Sequence, residues 1–284
     1  MEKTMTKTHF KRIGPLIYDA LLALLLFAGL PSHAMGGAWT QKEGGMYNRF
    51  AVNYLVINDQ FTSGGNKTPT SSSTFTEWNA TYYAELGLKD FLTVFGSLPV
   101  RYLQDQSESN TGVGDLDLGM RYRLLSGPTV LSVSVLGKFP YFYKKTKAPA
   151  LGNGQHDLEL RFLVGKGFNQ YGYGGIEAGY RYRDEAPSDE YRYLLEYGLS
   201  FTKQFYARTK LDGVKSVKNA DRGATSSTEG NPILSSEFDI GKLEMTAGYL
   251  FNQHWTGEIT YTYVAYGKNI GAGNPIQIAV VYGF

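Results

Sequence analysis

Ile276-Gln277-Ile278-Ala279-Val280-Val281-Tyr282-Gly283-Phe284 is the stretch that decides the fold. Ile276, Ile278, Val280, Tyr282 and Phe284 put an apolar side chain at every second position. Gln277, Ala279, Val281 and Gly283, between them, are mostly small or polar. A period of two is that of a β-strand with one apolar face. A soluble protein lays such a face on its core. A transmembrane barrel turns it to lipid and turns the other face to its lumen.

The pattern recurs upstream. Twelve strands are expected, at 44–56, 74–87, 91–103, 113–125, 129–141, 156–166, 172–183, 190–202, 205–214, 236–250, 255–266 and 274–284. In the fourth, Leu116, Leu118, Met120, Tyr122 and Leu124 oppose Asp115, Asp117, Gly119, Arg121 and Arg123. In the tenth, Phe238 and Ile240 fall out of phase with Leu243 and Met245, so a bulge is expected near Gly241. Connections alternate: short turns such as Leu88-Lys89-Asp90 and Lys203-Gln204, then mostly longer polar loops such as 57–73 and 215–235. That is the hairpin logic of an outer-membrane barrel, with turns in the periplasm and loops outside. Twelve apolar faces also exceed what one small soluble core needs. The fold expected is an all-β, antiparallel, up-and-down transmembrane β-barrel of about twelve strands.

The N-terminus reads as a secretory signal. Lys3, Lys7, Lys11 and Arg12 form a basic head, 13–30 is largely apolar, and Ser32-His33-Ala34 offers a small-residue cleavage site. Residues 1–34 are therefore expected to be removed, leaving a barrel of residues 35–284 in the outer membrane of a Gram-negative cell. The formal charge of +2 belongs to that signal, and the remainder is balanced at 24 basic and 24 acidic residues. Nothing in that balance points to nucleic acid. No cysteine is present, which leaves no disulfide framework and no thiol chemistry.

Strand parity assigns eleven basic and eleven acidic residues to the lumen. The candidate selectivity residues among them are Arg101, Asp115, Asp117, Arg121, Arg123, Asp157, Glu159, Arg161, Arg181 and Arg183, with Tyr83, Phe95 and Tyr206 as apolar surface. A strongly ion-selective pore has a lumen dominated by one sign. A balanced one is expected to pair its charges across strands, because an unpaired buried charge is costly. Pro99 and Pro140 are expected where pairing stops or bulges.

The order of several motifs resembles the outer-membrane family associated with meta-cleavage phenol degradation, which is itself distantly similar to aromatic and fatty-acid uptake channels. These are Gly87-Leu88-Lys89-Asp90, Ser97-Leu98-Pro99-Val100-Arg101-Tyr102, Gly112-Val113-Gly114-Asp115-Leu116-Asp117-Leu118-Gly119, Gly137-Lys138-Phe139-Pro140 and Gly154-Gln155-His156-Asp157-Leu158. The resemblance implies a porin-like outer-membrane channel for small, often aromatic or hydrophobic, compounds, and brings no catalytic residues with it. Larger fatty-acid channels carry an N-terminal plug. Here only 35–43 precede the first strand, too few for such a hatch. Tyr282 and Phe284 resemble the C-terminal signal through which the barrel assembly machinery would receive the strand.

Passive uptake of small solutes is thus the expected function, with membrane lipid and a small-molecule solute as further partners and no cofactor. Two other classes stay open. A structural or adhesive barrel would act through its outer loops. A hydrolase would need a Ser-His-acid set, but His156 and His254 lie at a loop junction and a turn, away from any Gly-x-Ser-x-Gly elbow. No ligand-spaced cluster for a metal is visible either.

Overall fold

A computed structural model describes residues 37–70, 74–144, 146–220 and 230–284. The signal segment lies outside the described residues. Sixteen strands follow in order: β1 Met46–Ile57, β2 Asp59–Phe61, β3 Lys67–Pro69, β4 Phe75–Lys89, β5 Leu92–Gln104, β6 Ser109–Val113, β7 Leu116–Leu125 and β8 Thr129–Phe139. Then come β9 Asp157–Gly167, β10 Tyr173–Arg183, β11 Glu190–Ser200, β12 Phe205–Ser216, β13 Asp239–Leu250, β14 Trp255–Lys268, β15 Ile270–Ala272 and β16 Ile276–Gly283.

Twelve of them (β1, β4, β5, β7 to β14 and β16) form one antiparallel barrel. Each pairs with its neighbours in sequence, and β16 closes the ring by pairing with β1 over Tyr47↔Gly283 to Tyr54↔Ile276. Closure removes the free edges, so every strand satisfies its backbone without water, as a membrane requires.

The molecule is inside-out relative to a soluble sandwich. Phe162, Ile176 and Ile278 are 56, 57 and 62% exposed, whereas Glu159 on the opposite face of β9 is 3% exposed. Aromatic rings gather at the rims. Phe205 and Tyr249, and Trp255 and Tyr282, pair at the turn end with centroids 4.6 and 4.8 Å apart, and Tyr54 and Trp78 pair at the loop end. Tyr282 and Phe284 both belong to the turn-end girdle.

Glycines let rings lie flat on the wall. Tyr193 covers Gly213 and Tyr266 covers Gly241 on the outer surface of four successive strands, and the two hydroxyls hydrogen-bond each other. Inside, Tyr173 covers Gly198 and Tyr206 covers Gly248. A Cβ at Gly213 would lie 2.0 Å from the Tyr193 ring, so no larger residue fits beneath it.

Two expectations about irregularity are refined. The β5–β7 ladder stops at Ser97↔Asp117 and β5 resumes pairing with β6 at Val100↔Val113, so the break lies opposite Pro99, which has no N–H to donate. The expected bulge near Gly241 exists, but its extra residue is Ala265 on β14, because Gly241↔Tyr266 is followed by Lys242↔Val264. Strand β13 therefore keeps its alternation, and Ile240 faces inward together with Lys242. The described part of the loop after β1, residues 58–70, is built into a sheet. Strands β2, β3 and β15 form a small sheet that joins it to the last loop, over Phe61, Val264, Ile270 and Ala272.

Candidate functional site

The lumen is lined by opposite charges placed directly across the ladder. Arg181 stands opposite Glu159, Arg183 and Lys138 opposite Asp157, Lys210 opposite Glu196 and Asp212 opposite Lys242. Facing pairs on one side of a sheet are close enough to interact directly. Glu159 is the hub: it meets Arg161 at 2.5 Å and Arg181 at 2.8 Å, with Arg192 further off at 3.7 Å. Arg161 reaches on to Glu177 at 2.7 Å, and Arg183 to Glu190 at 2.6 Å. Around the ring, Glu258 takes Arg49 and Arg208 at 3.0 and 3.1 Å, and the hydroxyl of Tyr206 donates to it.

Eight of the ten candidate selectivity residues join such ion pairs. Arg101 pairs with Glu77 at 2.8 Å, and Arg121 pairs with Glu85 at 3.0 Å and lies over the Phe95 ring. Asp115 accepts from the Tyr143 hydroxyl at 2.6 Å and sits 3.5 Å from Lys138. Asp117 meets the Ser97 hydroxyl at 3.5 Å, while its Oδ1 is buried without a hydrogen-bond partner. Arg123 has the expected parity but lies at the turn-end rim, half-buried, and makes no ion pair among the described residues. Tyr83, Phe95 and Tyr206 all face the lumen; Tyr83 donates its hydroxyl to Glu85. Lys242 and Glu190 were not among the expected lumen charges. Lys242 follows the misplaced bulge, and Glu190 opens its strand directly after a loop.

The segment before β1 has a place that the sequence did not indicate. It is too short for a domain-sized hatch, yet residues 37–41 enter the barrel from the turn end. The Ser132 hydroxyl donates to Ala38 O and Arg121 Nη1 donates to Trp39 O, at 2.5 and 2.7 Å. The Trp39 ring lies on Gly165 and meets Tyr173 edge-on at 5.6 Å. The side-chain amide of Gln41 donates to Glu85 at 2.7 Å, and its backbone N–H donates to Thr93 Oγ1. Ala38 and Thr93 are almost completely buried. A five-residue segment thus occupies the turn end of the lumen.

At the other end, the loop between β8 and β9 folds inward. Arg101 Nη1 donates to Leu151 O at 2.6 Å, Asn110 to Pro149 O at 3.0 Å and Asn231 to Ala150 O at 2.8 Å. Tyr143 anchors the loop on Asp115 and accepts from Gly154 N–H. Burial and that neighbouring carboxylate push the Tyr143 phenol up, so it stays protonated as a donor.

Beside this loop lies a cavity of about 340 Å3 in the loop-end half of the lumen. Part of its lining is charged, with Glu77, Arg101, Arg183, Glu190, Arg192 and Lys242. The adjoining part is apolar, with Val214, Ile233, Phe238, Ile240, Val264 and Ile270. Sequence reading had placed Phe238 and Ile240 out of phase with their strand. They face inward because β13 alternates regularly through Ile240, Lys242 and Glu244, the one displaced residue lying on β14.

No family model matches the chain, and no curated protein is similar in sequence. Solved structures do share the fold. A COG4313 outer membrane channel from Pseudomonas putida F1 superposes with a TM-score of 0.71 at 13% identity, covering 88% of this chain and 99% of that one. A NanC porin superposes at 0.53 with 8% identity, covering 83 and 98%, and a KdgM porin in complex with disordered oligogalacturonate at 0.50 with 7% identity, covering 84 and 99%. The class defined by wall and lumen is the closed transmembrane barrel with a polar interior. Within it, the twelve-strand arrangement is similar to that of the COG4313 channel.

Proposed function

We propose that this protein is a passive channel for small solutes in the outer membrane of a Gram-negative cell, exported by a signal at residues 1–34 that is then removed. The observation that carries the reading is a charged, cavity-bearing lumen inside a wall whose outer surface is apolar. A purely structural barrel of this size could fill its interior with apolar side chains, whereas paired charges keep a water-compatible path. Similarity in fold to an outer membrane channel and two porins supports it. Small aromatic or hydrophobic compounds are the proposed cargo, from the order of motifs shared with the phenol-degradation family. The lumen residues Arg101, Asp115, Asp117, Arg121, Arg123, Asp157, Glu159, Arg161, Arg181 and Arg183 would attract and orient the polar part of a solute. Tyr282 and Phe284 would present the last strand to the assembly machinery.

Residues 37–41 would act as a periplasmic stop, and conduction would require that segment to yield. The test is single-channel recording of the refolded mature protein in a planar bilayer. Discrete, infrequent steps, made more frequent by loosening residues 37–41, support the reading. A folded, heat-modifiable barrel without steps, in wild type and in Trp39→Ala alike, overturns it in favour of a structural or adhesive barrel.

A further inference from the structure

We infer that the loop-end cavity is a binding site for a small amphipathic monoanion, a carboxylate carried on a compact apolar or aryl body. This deepens the channel reading and rests on it only for the claim that the bound solute goes on to cross.

The cavity has two chemistries side by side. Phe238, Ile240 and Val264 offer only apolar surface, and on the ladder Arg192 stands opposite Val214 and Lys242 opposite Val264. The charged lining has four cations, Arg101, Arg183, Arg192 and Lys242, against the two carboxylates Glu77 and Glu190. Three of those cations are taken. Arg101 is held by Glu77 at 2.8 Å, Arg183 by Glu190 at 2.6 Å and Lys242 by Asp212 at 2.8 Å.

Arg192 is not. Its guanidinium reaches Glu159 only at 3.7 Å and Glu190 only at 3.9 Å, and it forms no hydrogen bond among the described residues. Both carboxylates already hold shorter contacts, with Arg161 and Arg181 on Glu159 and Arg183 on Glu190. A guanidinium is a planar fork of five donors that matches a carboxylate in geometry. A surplus fork at the edge of an apolar slot selects a ligand that is anionic at one end and greasy at the other. A simple inorganic anion would leave the apolar wall wet, and a neutral hydrocarbon would leave Arg192 unanswered. The volume sits near the lower end of the range for small-molecule sites, about 300 to 1,000 Å3, which suits a single ring or a short chain rather than an oligomer.

Benzoate is the probe, with acetate as the charge without the body and benzyl alcohol as the body without the charge. Isothermal titration of the refolded mature barrel in micelles, against empty micelles, reads binding without requiring conduction. Saturable binding of benzoate is expected, with acetate and benzyl alcohol at least about 10-fold weaker because each lacks half of the recognition. Arg192→Gln should weaken benzoate about 10-fold, and Arg192→Lys, which keeps charge but not the fork, should weaken it less. Ile240→Thr tests the apolar lining and should weaken benzoate while leaving acetate unchanged. The inference is overturned if the folded Arg192 and Ile240 variants bind benzoate like wild type, or if benzyl alcohol binds as tightly as benzoate. Saturable benzoate binding in a barrel that never conducts would overturn the channel reading and leave the site standing. Conductance with no benzoate saturation would do the reverse.

Discussion

Replacing Trp39 by Ala should turn a rarely open barrel into a frequently open one. The indole is the main apolar anchor of residues 37–41, lying on Gly165 and edge-on to Tyr173. Truncating a fully buried Trp costs about 3–5 kcal/mol. Trp39 is half-buried, so about 2 kcal/mol of docking energy is lost. The Arg121 and Ser132 bonds go to backbone carbonyls and survive the change. At about 1.4 kcal/mol per tenfold, the released fraction should rise about 30-fold. Single-channel open probability is the direct assay. The absence of cysteine allows a second: Ala38→Cys, buried in the docked state, should react with a membrane-impermeant thiol reagent faster by the same factor in the Trp39→Ala background. Gly165→Ala attacks the anchor from the wall, since its Cβ would fall 2.5 Å from the ring. Unchanged open probability and labelling in both folded variants would refute the idea that the segment is the stop.

Arg121→Ala or Glu85→Ala should each cost about 3–5 kcal/mol by stranding a buried charge, whereas replacing both by apolar residues of similar size should cost much less; urea midpoints for the vesicle-inserted protein would read this. Gly213→Ala should destabilise by about 1–3 kcal/mol through overpacking against Tyr193, and Tyr193→Phe by only about 1 kcal/mol through loss of its bond to Tyr266, both measured in the same titration. In the loop before β11, burial alone would raise the Asp189 carboxyl, but hydrogen bonds from the Tyr180 hydroxyl, Arg183 N–H and Asn219 outweigh it and hold the carboxyl low. The stabilisation is therefore complete above the ordinary carboxylate value of about 3.9 and is lost as pH falls through the lower folded value. Pepsin should spare the 184–189 loop of the wild type at pH 4 and cut it at lower pH, while Asp189→Asn should be cut at both.

The wall was legible in the sequence because period two is a local signal that recurs strand after strand. Leu116 to Leu124 and Ile276 to Phe284 announce which face meets lipid, and the facing charges follow by parity. Pro99 marked its own ladder break for a local reason too, having no N–H. What escaped was decided by partners distant in sequence. Residues 37–41 show no periodicity, and partners distant in sequence, from Glu85 and Thr93 through Arg121 and Ser132 to Gly165 and Tyr173, give them a place inside. The apolar lining of the cavity was hidden because Ile240 lies in regular phase with the charged Lys242 and Glu244, and an apolar residue at a strand's start is read by parity as facing lipid. Arg192 had the right parity, but that its fork is left over depends on how Glu159 and Glu190 are shared among Arg161, Arg181 and Arg183, which no spacing encodes.

The meeting of the two chain ends has a use in protein engineering. Met46 and Phe284 exchange both backbone hydrogen bonds, at 3.0 and 3.1 Å, so the wall is already a ring in space and lacks only a covalent join. A circular permutant that splices Phe284 to Gly45 and opens the chain in an external loop would keep every ladder while leaving residues 37–41 out altogether. Such a permutant would separate container from stopper in a single molecule. It would also offer a cysteine-free nanopore frame in which the bore can be altered one facing pair at a time.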